Sequence, residues 1–289
     1  MAEALRSASP SNSADAPVVW VTGSGAPRVG RVVAQHFADH GYRIALHARN
    51  AMQEVRAVEE AMQEQGTDVC VTFGDVRDWP AMDQSVKHIL SEYGRLDAVV
   101  HCAAVWDWKP LEATTHEDVS RQLEINTLGA YAVARSAGLA MVGQAFGGAI
   151  VLIGDWAVVR PYPDFSAYFA GKGAIETLVR SMAVELGTRN PSVRVNGILP
   201  GPVLLDPQIT PQASEAVRRS ALVNKHGRPE HVATAARFLA EHEFITGVCL
   251  PVDGGRSIWA GNDTDRIAHP SYPTNHGNAG ARAPSQNAD

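Results

Sequence analysis

Along the chain, apolar residues recur in two rhythms that take turns. Short runs rich in β-branched residues cover 18–22, 43–47, 69–73, 98–101, 149–153, 193–198 and 248–252. Between them, apolar positions return at helical spacing, as over 32–40, 50–65, 81–93 and 119–142. The first rhythm predicts strands and the second amphipathic helices. Several strand runs are apolar at consecutive positions, as expected where helices cover both faces of a sheet. Asp78 followed by Pro80 predicts a helix start, a cap with proline in the first turn. Strands alternating with helices of this length predict an α/β chain. Its doubly wound parallel sheet has about seven strands flanked by helices.

The pattern stops at both ends. Residues 1–16 and 261–289 are rich in Asn, Ser, Pro, Ala and Gly and poor in large apolar groups. Such segments bury too little surface to offset the entropy of ordering them. Both are expected to be flexible around a single domain over 17–260, with the alternative that the C-terminal tail drapes over a neighbouring subunit. An apolar content of 45% suits an ordinary globular core. The net charge of −6, with no basic stripe, argues against nucleic acid as a partner. No apolar run approaches the roughly 20 residues that span a bilayer, and 1–16 lacks the apolar stretch of a secretory signal. A cytoplasmic protein without a membrane partner is expected. Cys70, Cys102 and Cys249 have no metal-ligand spacing and read as small buried hydrophobes of a reducing compartment. No His-Glu-x-x-His pair and no Gly-x-Ser-x-Gly elbow occurs, so neither a metal site nor a serine hydrolase is expected.

The first strand runs straight into Gly23-Ser24-Gly25-Ala26-Pro27-Arg28-Val29-Gly30 and then a helical pattern. A glycine turn between strand and helix lets backbone N–H groups approach a pyrophosphate, although glycine turns also close ordinary loops. The second strand ends Leu46-His47-Ala48-Arg49-Asn50, with no acid to hold a ribose 2′-hydroxyl. Arg49 can instead pair with a 2′-phosphate, which points to NADP(H); the alternative is a solvated surface arginine. The third strand ends Gly74-Asp75-Val76, where the acid either accepts from an adenine amino group or caps the next segment. Asn196 to Pro202 supplies a turn where backbone can meet the nicotinamide side.

Tyr168 and Lys172 are four residues apart on a helical segment that continues through 177–186. That spacing puts them on one helix face. A tyrosine titrates near 10, and a neighbouring ammonium is expected to pull that value toward working pH. Such a phenol is a usable general acid for a substrate that receives hydride.

Thr22-Gly23, Asp75, Asn126, Tyr168, Lys172, Pro200-Gly201 and Val252-Asp253-Gly254-Gly255 stand in the order and approximate spacing of the short-chain dehydrogenase/reductase family. The chain resembles that family from residue 18 to about 258. The resemblance implies a single Rossmann-like domain and a small-molecule substrate. It implies a homo-oligomer, commonly a tetramer, for which the apolar helix around 177–186 is a candidate interface. It also implies that Gly23, Arg28, Val29, Gly30, His47, Arg49 and Asn50 border NADP(H) on one side. Asp75, Val76, Ala103, Lys172, Pro200, Gly201 and Val203 border it on the other. Asn126, Tyr168 and Lys172 then form most of a catalytic tetrad, the Asn helping to hold a water that links the lysine to solvent.

The fourth tetrad position departs from the pattern. Family ketone reductases usually have serine thirteen residues before the tyrosine, and this chain has Asp155. A serine hydroxyl donates to a developing alkoxide, whereas an ionised carboxylate only accepts. Asp155 therefore favours a substrate offering N–H groups or a ring nitrogen, unless it serves only as a strand-end turn residue. Arg28 at the glycine turn, the His47-x-Arg49 pattern and Trp106 after the fourth strand join Asp155 in resembling the pteridine reductase branch. Members of that branch reduce pterin or folate rings with NADPH, which implies Arg28, Trp106, Asp155 and Tyr168 as substrate-binding residues. Trp106 is alternatively core packing. The glycine turn is one residue longer than the family's, His101-Cys102-Ala103 replaces its Asn-Asn-Ala, and Ala104 stands where that branch generally has serine. The expected activity is NADPH-dependent reduction of a pterin-like heterocycle. The alternatives are a carbonyl reductase acting on small ketones or 3-oxoacyl substrates, and a dinucleotide-binding protein without catalysis.

Overall fold

The computed structural model describes residues 15–259 except 51 and 206. The expected flexible tail 261–289 and residues 1–14 lie outside the described residues. Ala16 is buried, and its carbonyl accepts from Arg43 Nε and Nη2 at 3.1 and 2.9 Å.

Seven parallel strands form one sheet in the order β3-β2-β1-β4-β5-β6-β7. They are β1 (Val18–Thr22), β2 (Arg43–Ala48), β3 (Val69–Phe73), β4 (Ala98–His101), β5 (Gly148–Ile153), β6 (Val193–Pro200) and β7 (Cys249–Val252). The helices are α1 (Val29–Ala38), α2 (Met52–Glu64), α3 (Trp79–Tyr93), α4 (His116–Gln122), α5 (Gly129–Val142), α6 (Ser166–Gly187), α7 (Pro211–Arg219) and α8 (Pro229–Glu241). This is a single Rossmann-like α/β domain.

The consecutive apolar positions of the central strands divide between two cores. Val18 and Trp20 of β1, Val99 of β4, and Ile150 and Leu152 of β5 pack with α3, α5 and α6. Val19, Val21, Val100 and Val151 pack on the opposite face with α1, α2 and α8. Side chains alternate across a strand, so two covered faces demand an apolar residue at every position. Asp78 caps α3 as expected, its carboxylate accepting from Ala81 N at 3.2 Å with Pro80 in the first turn.

The helix expected over 119–142 runs without a break from α4 into α5, widening to a π-helical segment at Leu123–Leu128. There α6 presses in closely, since a Cβ on Gly171 would lie 2.8 Å from Gln122 O, and Thr127 Oγ1 donates to Gly171 O at 2.7 Å. Such a widened turn re-aims the residues within it. Leu178, Val179, Met182, Ala183 and Leu186 of α6 are buried in the chain's own core, while Val184 on the same helix is exposed. Finally, Cys70, Cys102 and Cys249 are half-buried rather than sealed in the core.

Candidate active site

Strand order reverses between β1 and β4, and in open α/β sheets ligands bind outside the strand C-termini at such a point. A cleft of about 850 Å³ opens there. Gly23, Arg28, Val29, Gly30, His47, Arg49, Asn50, Asp75, Val76, Ala103, Pro200, Gly201 and Val203 all line it, as do Trp106, Asp155, Tyr168 and Lys172. Asn126 stands behind this wall.

The outer end is shaped by backbone. Gly23 takes φ +68°, and a Cβ there would lie 2.9 Å from the backbone of Ala103, so the β1 turn closes against the end of β4 only without a side chain. Helix α1 starts at this turn with no side-chain cap and no acid in its first turn. Its leading N–H groups have no intrahelical acceptor and carry the positive end of the helix dipole, which suits a pyrophosphate. Arg49 and Asn50 are exposed at the end of β2, again without an acid. The residues present thus fit a phosphate-bearing dinucleotide. Asp75 is already engaged by Arg77, which donates from Nε at 3.0 Å, from Nη2 at 2.8 Å and from the backbone at 3.0 Å. Those bonds hold its carboxyl below the usual range. Its turn-capping alternative is realised, while it still borders the cleft.

Under the cleft floor, Thr22 Oγ1 accepts from Cys102 N and Ala103 N at 3.2 and 3.3 Å and lies 2.9 Å from His101 Nδ1. Burial pushes His101 down to about 3 and His47 down to about 4, so both imidazoles are neutral.

The inner end holds the ionisable groups. Tyr168 Oη donates to Asp155 Oδ2 at 2.6 Å, and Asp155 Oδ1 accepts from Ala157 N at 2.8 Å. The turn role and the tyrosine partnership of Asp155 therefore coexist. One helical turn on, Lys172 Nζ donates to Ile153 O at 2.8 Å. Asn126, in the π segment, is buried. Its Oδ1 accepts from Val105 N at 3.0 Å, and its Nδ2 donates to Val105 O at 3.0 Å and Gln122 Oε1 at 2.7 Å. Trp106 stacks on Phe165 at 5.0 Å and 12° and also borders the cleft.

The comparisons with known proteins agree with this architecture. Residues 26–257 match the family described as enoyl-(acyl carrier protein) reductase. A short-chain dehydrogenase/reductase of Armillaria gallica is 31% identical over 250 residues, covering 82% of this chain and 95% of that one. The chain belongs to the short-chain dehydrogenase/reductase family. A 3-oxoacyl-[acyl-carrier-protein] reductase of Chlamydia muridarum is 31% identical over 241 residues, covering 81% and 95%. A solved dehydrogenase/reductase from Sinorhizobium meliloti superposes with a TM-score of 0.75 at 30% identity, covering 83% and 94%. This short-chain dehydrogenase/reductase is thus an oxidoreductase acting on a small molecule. Among its described residues no helix is long and apolar enough to cross a membrane.

One electrostatic expectation is overturned. Tyr168 is raised well above 10, first by burial and then by the Asp155 carboxylate, rather than pulled down by Lys172. Burial likewise raises Asp155 and lowers Lys172 to about 8. The phenol is therefore held firmly protonated. Sequence reasoning also missed Trp156, Tyr162 and Arg256, which line the inner end. Arg256 directly follows the Val252-Asp253-Gly254-Gly255 run that marked the family, but nothing along the chain shows that it folds back to the cleft.

Proposed function

We propose that this dehydrogenase/reductase is an NADP(H)-dependent reductase of small carbonyl compounds in which Tyr168 is the proton donor. The observation that carries the reading is the 2.6 Å bond from Tyr168 Oη to Asp155 Oδ2 at the inner end of the cleft, with Lys172 one turn away. Arg49, in a position with no acid, supports the 2′-phosphate of NADP(H), and the uncapped start of α1 at Val29 and Gly30 supports its pyrophosphate. Bound there, the nicotinamide supplies the hydride. The chain's own residues handle the proton. A phenol kept protonated by burial gives its proton to a substrate oxygen that displaces Asp155 as acceptor. The Lys172 ammonium stabilises the phenolate left behind. Asn126 braces the Val105 loop beside Trp106 and fixes the wall that the substrate faces.

A second reading, reduction of a C=N bond in a pterin-like ring, is favoured by Asp155 itself. An ionised carboxylate there accepts from ring N–H groups, and Trp106, backed by the buried Phe165, offers a flat surface. In the carbonyl reading Asp155, which accepts from Tyr168 Oη at 2.6 Å, holds the phenol in place until the substrate oxygen takes over as acceptor.

The test is NADPH oxidation with a panel of small ketones and 3-oxoacyl esters beside dihydrobiopterin and dihydrofolate. Turnover of ketones, retained in Asp155→Ser, supports the carbonyl reading. Turnover of pterins alone, lost in Asp155→Ala, replaces it with the second. No NADPH oxidation with either group sinks both.

A further inference from the structure

We infer that Arg256 is a specificity-determining residue that takes a carboxylate on the substrate, so that the preferred substrates are carbonyl compounds carrying an acid group. The inference rests on the inner end of the cleft being the substrate site.

Arg256 lines that end together with Asp155, Trp156, Tyr162 and Tyr168. It is 7% exposed. Its guanidinium carbon lies 4.6 Å from the centre of the Trp156 ring, and Nη1 donates to Ser220 Oγ, a neutral partner. Among the described residues it makes no ion pair. Asp155 and Asp253 act on it through space and not by a direct contact: Asp155 accepts from Tyr168 and Ala157, and Asp253 accepts from Gly255 N at 2.9 Å and Ser257 N at 2.6 Å. Arg160 adds a second positive charge nearby, its Nη1 donating to Arg256 O at 2.6 Å. The Asp253 turn and this latch hold the backbone, so the guanidinium is presented in a fixed place.

A guanidinium has five N–H donors and stays charged. Burying it without a counter-charge is costly, and the cost falls when an anion arrives. Burial pushes Arg256 down to about 10, the direction expected of an under-compensated cation. Its open side is the cleft. The planar fork matches a carboxylate in bidentate fashion, and stacking on Trp156 occupies the face while leaving the N–H edge free to donate. The other arginines of the cleft differ: Arg28 and Arg49 are exposed, although the Arg28 charge reaches Tyr168, and Arg121 is paired with Asp107.

The test compares binding of 2-naphthoate and 2-naphthamide, two flat probes of equal shape, by isothermal titration to the NADP⁺-loaded protein. NADP⁺ affinity and thermal melting of each variant report cofactor binding and folding separately. The wild type is expected to bind naphthoate at least about tenfold more tightly than the amide, roughly 1.4 kcal/mol. Arg256→Met is expected to bind the two equally. Arg256→Gln, which keeps a donor for Ser220, is expected to lose the preference as well, and Arg256→Lys to keep part of it. Equal binding of both probes by the wild type, or a preference that survives in Arg256→Met or Arg256→Gln, overturns the inference. Failure of ketone turnover with the probe preference intact would count against the proposed chemistry and not against this assignment.

Discussion

Tyr168 Oη and Asp155 Oδ2 lie 2.6 Å apart although one residue opens a helix and the other ends the link from a strand, thirteen positions earlier. The bond points the phenol's proton at a carboxylate that is itself raised by burial. The pair therefore enters the cycle with the phenol proton in place, ready for a substrate acceptor. Tyr168→Phe removes that proton while keeping the ring and its packing near Phe165. Turnover is expected to fall by about 10²–10⁴-fold, the usual weight of a general acid. NADP⁺ affinity, followed by tryptophan fluorescence, is expected to stay within a factor of about two. Wild-type turnover in this variant would show that another group donates the proton.

Lys172 sets an alkaline limit. Burial lowers it to about 8 from 10.5, so the ammonium dominates below about pH 8 and is lost above it. Because the charged form steadies the phenolate, kcat for carbonyl reduction is expected to hold below that value and fall as pH rises through it. Between about 8 and 10.5 the unfolded chain binds more protons at this site than the folded one. Stability from Lys172 alone therefore rises with pH across that window. A pH–rate profile beside a pH–melting profile separates the two, since they move in opposite directions.

Arg49 is expected to choose the cofactor. It stands exposed where a 2′-hydroxyl-binding acid would otherwise be. Hydrogen bonds to a charged group contribute about 1.5–3 kcal/mol, so Arg49→Ala should weaken NADPH roughly tenfold or more and leave NADH unchanged. Raised salt should narrow the wild-type gap. Equal weakening of both cofactors would mean that Arg49 only supports the loop.

His101 and His47 make the fold sensitive to acid. They are held at about 3 and about 4, below the value near 6.5 of an exposed histidine. As pH drops below 6.5 the unfolded state takes up protons that the folded state refuses, so stability declines until the folded-state values are reached. Melting temperature is expected to fall steadily from about pH 7 to about pH 4.5. His101→Asn, which still offers Thr22 a polar partner, should make that fall shallower. An unchanged slope would place the acid sensitivity elsewhere.

Much of the frame was legible along the chain because it depends on local or periodic signals. The apolar run 18–22 and the turn from Gly23 to Gly30 announce a strand feeding a dinucleotide turn, since backbone approach there tolerates little side chain. Asp78 and Pro80 announce a helix start for the same kind of reason. The Tyr168–Lys172 spacing puts two groups on one face of α6 whatever the tertiary contacts are.

Other features depend on neighbours that no local pattern encodes. The π segment at Leu123–Leu128 lies where Gly171 of α6 comes close, and Asn126 within it bonds the Val105 loop. The sign of the Tyr168 shift followed from burial and Asp155, although the sequence spacing pointed to Lys172. Arg256 reached the cleft only because the chain after β7 folds back over Trp156.

The sequence by itself determined the strand–helix alternation, the family resemblance and the pairing of Tyr168 with Lys172 on one helix face, because periodicity and backbone tolerance are local properties. The tertiary structure alone decided which charges are desolvated and which carboxylate each donor finds. Solvation and electrostatic pairing belong to the folded surroundings of a residue and cannot be assigned from its place in the chain.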